Sequence, residues 1–346
     1  MAIYYVLFTI LAFFSLLERN NKLSKISFNI ILLILILFVG LRYQVGNDYA
    51  EYYIHHSLIQ QGVTNYFEPL FTLLNYITPT PYLMFFVSAL ISFVFLYLAF
   101  KYFSPNNGIL LLTLYFGIYL IIFDIHIIRQ GIAIAIVLYS WKFAVENKMI
   151  KFFSLVIIAI GFHSSAVVSL PVYFLTKIKF TKQVKIILLS ISTIILFILL
   201  FMKELVFNII SLIPLFERYA TVYLNPEFSK TEPISFGFVL NIIVFIIIEF
   251  IIVKRPANFN NPKMQFVENI FFISILASIL LRFSSIALRL NYYYQISNIF
   301  IFVLIIFSFR EKLPIKVIFL IIALLYLYVN LNTGHAILDY KTILSK

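Results

Sequence analysis

The stretch FDIHIIRQGIAIAIVLYSW, residues 123–141, joins a long apolar run to four polar or ionisable side chains at its start. The apolar run has the composition of a membrane-spanning helix. The four polar side chains lie near the beginning of that run and are Asp124, His126, Arg129 and Gln130. Such groups are costly in hydrocarbon, and within a membrane segment they usually mark a functional site. The stretch therefore predicts a membrane helix whose first turns carry chemistry.

The rest of the chain has the composition of a polytopic helical membrane protein. Of its 346 residues, 63% are hydrophobic and 12% are charged, and the mean hydropathy is +1.03. Apolar runs of helical length recur along the chain, whereas the period-2 alternation of a β-barrel is absent. No cysteine is present, which excludes disulfides, thiolate catalysis and cysteine-type metal sites.

We predict an all-α fold with about 12 transmembrane helices in a single membrane domain, residues 1–346. The spans are expected at 2–17, 26–41, 81–100, 108–123, 125–143, 152–162, 164–176, 186–202, 236–253, 266–281, 290–308 and 315–331. The first is interpreted as a retained span, because it has no basic leader and no small-residue cleavage site. Segments 42–80 and 203–235 are the long outer loops. A short interfacial helix is expected over Glu68–Ile77, with Pro69 in its first turn.

The distribution of basic residues predicts the orientation in the membrane. Seventeen of the 26 Lys and Arg residues, mostly lysine, fall in one set of loops and helix ends. By the positive-inside rule this set is cytoplasmic, so both termini lie outside. The outer set contains five arginines: Arg42, Arg129, Arg218, Arg282 and Arg289. Arginine presents a planar fork of donors to phosphate or carboxylate. The net charge of +12 therefore reflects topology, and nucleic acid is excluded as a partner.

The sequence contains none of the familiar nucleotide, zinc-protease or nucleophile motifs, and no His and acid pattern has metal-ligand spacing. What remains is a scattered set of polar residues at the predicted outer helix ends: Arg42, Asp48, Glu68, His126, Arg129, Gln130, His163, Arg282 and Arg289. Several of the outer histidines and acids fall at the same level as the arginines. That gathering on one side favours a common site.

Most of these residues also have a structural interpretation. Arginines near helix ends can extend to lipid headgroups, and Asp48 suits a turn or a helix cap. Arg282 and Arg289 are seven residues apart, so a continuous helix would align them on one face. His163 suits the close of a helical hairpin with a serine cap. Glu249, inside a predicted span, is expected to be the structural partner of a neighbouring cation.

Five blocks follow one another along the chain: RYQVGNDYAEYY (42–53), EPLFTLLNYI (68–77), IRQGIAIAIVLYSW (128–141), IAIGFHSSAVVSLPVYFL (158–175) and ALRLNYYY (287–294). Together they resemble the EpsG group of Wzy-type polysaccharide polymerases. The resemblance implies a bacterial inner (plasma) membrane glycosyltransferase with a GT-C-like architecture and an active site facing the periplasm or exterior. Some O-antigen polymerases carry R-x₁₀-G motifs in two periplasmic loops. No outer arginine here has glycine at that spacing, so residue roles from that branch are not transferred.

The chemistry implied by the resemblance assigns roles to the scattered residues. A hydroxyl of a new lipid-linked repeat unit attacks the anomeric carbon of the growing glycan, and undecaprenyl pyrophosphate leaves. Predicted pyrophosphate ligands are Arg42, Arg129 and Arg289. Candidate bases for the attacking hydroxyl are Asp48, Glu68 and His163. Predicted contacts to sugar or other substrate groups are Tyr49, Tyr52, His126, Gln130 and Tyr293.

The same reasoning predicts the ligands and leaves two alternatives open. The expected partners are an undecaprenyl-pyrophosphate-linked oligosaccharide, membrane lipid and, as an open possibility, a chain-length regulator. No cofactor and no metal are expected, because arginines can stabilise the leaving group. An O-antigen ligase would share donor and leaving group. A flippase or transporter would instead place ionisable groups on broken helices near mid-membrane.

Overall fold

The computed structural model describes residues 1–63, 67–202, 234–254, 261–332 and 339–345. In these ranges the chain is helical, with one isolated β-bridge between Arg42 and Thr342 and no strand. The prediction of an all-α protein is therefore confirmed. The segment 203–235, predicted to be outer, lies almost wholly outside the described residues, as do Arg218 and His335.

The α-helices follow one another along the chain with short connections. They are α1 Ala2–Leu17, α2 Lys22–Gly40, α3 Tyr49–Gln60, α4 Pro69–Ile77, α5 Pro81–Phe103, α6 Gly108–Tyr115, α7 Ile128–Val145, α8 Met149–Phe162, α9 Lys182–Phe201, α10 Phe236–Lys254, α11 Pro262–Leu280, α12 Ser285–Leu288, α13 Tyr292–Gln295, α14 Asn298–Ser308 and α15 Lys312–Asn332. A π-helical run, Phe116–His126, continues α6, and a 3₁₀-helix covers Ser164–Lys177. The helices group into two compact units, Met1–Tyr173 with Phe302–Lys346, and Phe174–Ile301. The single membrane domain stays a prediction.

Among the described residues, nine helical segments are long and apolar enough to cross a membrane. They are Lys22–Gly40, Pro81–Phe103, Gly108–His126, Ile128–Val145, Lys182–Phe201, Phe236–Lys254, Pro262–Phe283, Arg289–Ser308 and Lys312–Asn332. The chain is thus a polytopic membrane protein, as predicted. The count of twelve and the GT-C-like architecture stay predictions.

The other three predicted spans are shorter or differently wound. Helices α1 and α8 are apolar but have 16 and 14 residues. The span predicted at 164–176 is the 3₁₀-helix Ser164–Lys177, which contains Pro171. Proline removes an amide donor and disfavours an α-helix at this point. Since a 3₁₀-helix rises about 2.0 Å per residue, its 14 residues extend over about 28 Å.

The π-helical run positions the polar cluster at the start of α7. It ends at His126, and Ile127, with φ −102° and ψ 58°, separates it from α7. The break falls a few residues after the predicted boundary between the fourth and fifth spans. Gly131 packs against the carbonyl of Phe123, where a β-carbon would collide with the backbone. Extended π-helical geometry is rare and is often found at functional sites.

The loop after α2 is held from two sides within the first unit. Gly46, with φ +111°, packs against the carbonyl of Ile125, so this position needs glycine for both conformation and space. From the other side, Tyr43 N–H donates to Lys341 O at 2.9 Å. The Tyr340 ring stacks on Phe38 with centroids 4.3 Å apart.

Helix α4 was predicted and α3 was missed. The expected interfacial helix is observed at Pro69–Ile77, with proline in its first turn. Helix α3 buries Tyr49, Tyr52, His56 and Ile59. Their helical spacing is the signal that could have identified α3, but two histidines, a glutamate and a glutamine within it favoured a loop.

In the second unit a buried charge cluster joins three helices. Lys185 Nζ in α9 donates to Glu249 Oε1 in α10 at 2.5 Å and to Glu268 Oε1 in α11 at 2.6 Å. The side chains of Lys185 and Glu268 are each 7% exposed. The expectation that Glu249 pairs with a neighbouring cation is confirmed.

Candidate functional site

Glu68 gathers residues from three separate parts of the first unit. Its Oε2 accepts from Arg129 Nη1 at 2.7 Å, and its Oε1 lies 2.9 Å from His163 Nδ1. The same Oε1 accepts from the backbone N–H of Ser164 at 3.0 Å and from its hydroxyl at 3.2 Å. We call Glu68, Arg129, His163 and Ser164 the Glu68 cluster. The side chains of its three ionisable members are 15–25% exposed, so the cluster is partly accessible.

Local backbone features bring these residues to one place. Glu68 caps the start of α4 in extended conformation, and Arg129 is the second residue of α7, just after the break at Ile127. His163, with φ −156° and ψ 119°, ends α8. Gly161 lets α8 approach α4, because a β-carbon there would collide with the side chain of Leu70. The cluster therefore lies where three helix ends meet.

The electrostatics of the Glu68 cluster keep its carboxylate ionised. Burial by itself would raise the pKa of Glu68. The hydrogen bond from His163, that from the Ser164 N–H and the charge of Arg129 together outweigh burial and hold the pKa well below its ordinary value. Glu68 is therefore a permanent acceptor near neutral pH.

Arg129 is oriented on both its edge and its face. Its Nη1 binds Glu68, and its guanidinium carbon lies 4.6 Å from the centre of the Phe67 ring. Tyr52 forms a further hydrogen bond with the guanidinium. The buried Nε has no hydrogen-bond partner among the described residues. The guanidinium is thus fixed in orientation while its side chain stays 23% exposed, and a guanidinium held in this way can bind an anion.

Arg42 is buried and contacts the protein itself. Its side chain is 1% exposed. Its Nη1 donates to Val39 O at 2.5 Å and its Nε to Val45 O at 3.3 Å, while Nη2 has no hydrogen-bond partner in the described ranges of the chain. Burial lowers the pKa of Arg42 to about 10, opposed by the charge of Asp124. Arg42 therefore stays charged at neutral pH, and its contact with pyrophosphate stays a prediction.

The residues around the break at Ile127 connect to the loop that carries Asp48. His126 Nδ1 accepts from the backbone N–H of Asn47 at 3.1 Å, which fixes that loop against the π-helical run. Asp48 precedes α3 and is partly exposed, and Gln130 is buried. Asp48 also lies close enough to Tyr52 to help raise the pKa of that phenol, after the larger effect of burial.

The three tyrosines predicted to contact sugar are buried. Tyr49 is stacked on Phe85 with ring centroids 4.5 Å apart. Tyr52 makes an edge contact with Phe71 at 5.7 Å, and Tyr293 in the second unit is fully buried. Their contact with substrate stays a prediction.

The arginines of the second unit differ in exposure. Arg289 is exposed, whereas Arg282 is buried with its guanidinium 3.8 Å from the centre of the Phe238 ring. Residues 281–291 do not form the continuous helix that would align the two arginines, because Ser284 is extended with φ −146° and ψ 129°. The expected alignment on one face is therefore wrong.

The contacts of two residues, Asp124 and Ser164, were not predicted from the sequence. Asp124 was noted for its charge, but its partners were not: it is buried and accepts from Ser92 Oγ at 2.7 Å and from Tyr115 OH at 2.6 Å. Ser164 was interpreted only as a cap, and its contacts with Glu68 were missed. Nothing in the spacing of these residues signals the contacts, because they span different helices. Among the described residues no group of three or more His, Asp or Glu side chains could hold a metal ion.

Comparison with known families identifies the family of the chain. A family model described as the EpsG family matches residues 25–342, which include every residue of the Glu68 cluster and nearly the whole chain. Comparison with curated proteins and with solved structures finds no match. Membership of this family indicates a polysaccharide polymerase of the membrane, acting as a glycosyltransferase on a lipid-linked sugar. With a match of this extent, the chain belongs to the EpsG family.

Proposed function

We propose that the protein extends a polysaccharide at the outer face of a bacterial plasma membrane. The donor is the growing glycan on undecaprenyl pyrophosphate, and the acceptor is a hydroxyl of a new lipid-linked repeat unit. The acceptor oxygen bonds to the anomeric carbon while the bond from that carbon to the pyrophosphate breaks. The leaving pyrophosphate carries the electron pair, and the hydroxyl proton passes to a base.

The Glu68 cluster is the observation that carries this proposal. It places an oriented guanidinium and an imidazole against one ionised carboxylate, at helix ends and with partial access. A fixed guanidinium stabilises the charge that develops on a pyrophosphate leaving group. An imidazole nearby can accept a proton from a hydroxyl. A purely structural ion pair between Glu68 and Arg129 would need no imidazole beside it and no access from outside the protein.

The roles proposed for individual residues follow from this geometry. Arg129 binds the pyrophosphate through the exposed part of its guanidinium, which is held in place by the bond from Nη1 to Glu68. Arg289 contributes a second, exposed guanidinium. Arg42 adds positive charge from within the protein. Candidate bases are Asp48, Glu68 and His163.

The arginines supply the charge stabilisation that a divalent cation would otherwise provide. We therefore propose a metal-independent reaction. Glycan contact by Tyr49, Tyr52, His126, Gln130 and Tyr293 belongs to the same proposal, as does a GT-C-like arrangement of the spans.

Reconstitution tests the proposed function. Purified protein in nanodiscs is incubated with a lipid-linked repeat unit, and products are separated by size. A polymerase produces a ladder of longer lipid-linked glycans and releases undecaprenyl pyrophosphate. Transfer only to a non-repeat acceptor would indicate a ligase. Movement of the lipid-linked sugar across the bilayer without chain growth would indicate a flippase.

A further inference from the structure

We propose that His163 is the general base of the glycosyl transfer and that Glu68 is its positioning residue. This inference rests on the proposed function, because it concerns the proton released by the attacking hydroxyl. It goes beyond that function by choosing one base among Asp48, Glu68 and His163.

The contact between His163 and Glu68 determines which imidazole nitrogen is available. Glu68 Oε1 is a carboxylate oxygen 2.9 Å from His163 Nδ1, so Nδ1 carries the hydrogen and donates it. In the neutral ring the other nitrogen, Nε2, then holds a lone pair. No hydrogen bond to Nε2 is present among the described residues. A carboxylate that fixes the tautomer of a histidine in this way occurs in hydrolases that use histidine as the base.

Glu68 itself is poorly suited to accept the proton. Its two oxygens already receive four hydrogen bonds, from Arg129, from His163 and twice from Ser164. Three of these bonds fall on Oε1, which has two lone pairs, and one falls on Oε2. Protonation of Glu68 would remove the negative charge that pairs with Arg129 and that these donors stabilise. The carboxylate therefore orients its neighbours.

Glu68 also links proton removal to leaving-group stabilisation. Its Oε2 holds Arg129, which binds the pyrophosphate in the proposed function, and its Oε1 holds His163. The base His163 and the anion ligand Arg129 thus both bind Glu68, which fixes the distance between them. When the hydroxyl attacks, its proton moves to Nε2, and Glu68 stabilises the resulting imidazolium. The proton then passes to water, and His163 returns to its neutral form.

The decisive variant is His163→Asn. The Asn amide nitrogen occupies a position similar to Nδ1, so it can still donate to Glu68, but it offers no base in place of Nε2. We expect kcat to fall about 10²–10⁴-fold, the usual contribution of general base catalysis, with KM for the lipid-linked acceptor little changed. His163→Ala should be partly rescued by added imidazole. If His163 had only a structural role, added imidazole would not restore the activity of His163→Ala.

A second histidine of similar exposure serves as a matched control. His55 in α3 lies 4.0 Å from Glu51 and has an exposed fraction of 19%, close to the 25% of His163. His55→Asn should keep the wild-type kcat. Glu68→Gln should lower kcat without rescue by imidazole, because its defect is orientation rather than a missing base.

The outcomes separate this inference from the proposed function. If the wild type extends glycans and His163→Asn does so at an undiminished kcat, the assignment of His163 is overturned while the function stands. The assignment is also overturned if Asp48→Asn alone abolishes transfer and His163→Ala gains nothing from imidazole. If the wild type extends no glycan, the proposed function fails first. Should His163→Asn not accumulate, the imidazole response of His163→Ala in native membranes decides.

Discussion

Two clusters of charged side chains in this protein have opposite ratios of acidic to basic residues. In the Glu68 cluster one carboxylate binds an arginine and a histidine. In the second unit one ammonium, that of Lys185, binds the two carboxylates of Glu249 and Glu268. We call these three residues the Lys185 cluster. Both are partly or wholly buried, and each brings together three parts of the chain.

What differs is the burial of the central group and the chemistry of its partners. In the Glu68 cluster the carboxylate is 15% exposed and lies at helix ends, and His163 Nε2 has no hydrogen-bond partner in the part of the chain that the structure describes. In the Lys185 cluster the ammonium is almost fully buried, 6.0 and 5.7 Å from the ring centres of Phe245 and Phe272. We expect the more exposed cluster, which contains an imidazole, to take part in the reaction and the more buried cluster to join helices. On this basis we expect variants of the two clusters to fail in different ways.

The largest effect is expected from Lys185→Met. It leaves the buried Glu268 and the partly exposed Glu249 without their cation, and removal of one partner from a buried ion pair typically costs about 3–5 kcal/mol. The variant should accumulate poorly and unfold at lower temperature in detergent. Adding Glu249→Gln and Glu268→Gln to it should restore accumulation, because no uncompensated charge is left. Normal stability with lost polymerisation would instead make the Lys185 cluster a functional site.

Arg129→Lys should show the reverse pattern. Lysine keeps the charge but loses the fork, and removal of one donor from a charge-stabilising site costs about 10²–10³ in rate. The protein should accumulate normally yet make short polysaccharide, seen as a ladder reduced towards single repeats. Arg289→Lys should do the same if it shares the pyrophosphate. Arg310→Lys, at an exposed position, is the control and should keep long chains. Wild-type ladders from both variants would argue that these arginines only anchor the protein in lipid.

The sequence predicted those features that depend on residues close together in the chain, and the helices are the main example. Helices were predictable because apolar composition is local, and α4 was found from Pro69 at its start. Helix α3 was missed, and Ser164–Lys177 was expected as an ordinary span. Both errors arise where polar residues or Pro171 compete with hydrophobic periodicity.

The candidate site was predictable in its members but not in its connections. Glu68, Arg129 and His163 were each selected from their residue type and predicted position. That Glu68 lies between the other two depends on the approach of α4 to α8 at Gly161 and on the break at Ile127. Contacts between residues 61 and 95 positions apart leave no spacing pattern in one sequence. The buried partners of Asp124 were invisible for the same reason.

Labelling experiments can sharpen the comparison by assigning each cluster to a side of the membrane. The positive-inside rule puts segment 42–80 outside and Lys182, which precedes Lys185 in α9, inside. The chain has no cysteine, so single cysteines report without background. Gln61→Cys should react with an impermeant maleimide in intact cells, and Lys182→Cys should react only after lysis; both positions are exposed. The opposite pattern would invert the topology and place the Glu68 cluster inside.

The smallest effect, no change at all, is expected on removal of divalent cations. Magnesium and manganese prefer carboxylate oxygens that are free to coordinate. In both clusters the carboxylates are already bound to cations of the protein, Glu68 to Arg129 and Glu249 and Glu268 to Lys185. Binding of a metal ion there would require breaking these pairs. Polymerisation by the purified protein should therefore proceed at the same rate in EDTA as in added Mg²⁺. Activity that disappears in EDTA and returns with Mg²⁺ or Mn²⁺ would mean that a metal, and not Arg129, carries the charge of the leaving pyrophosphate.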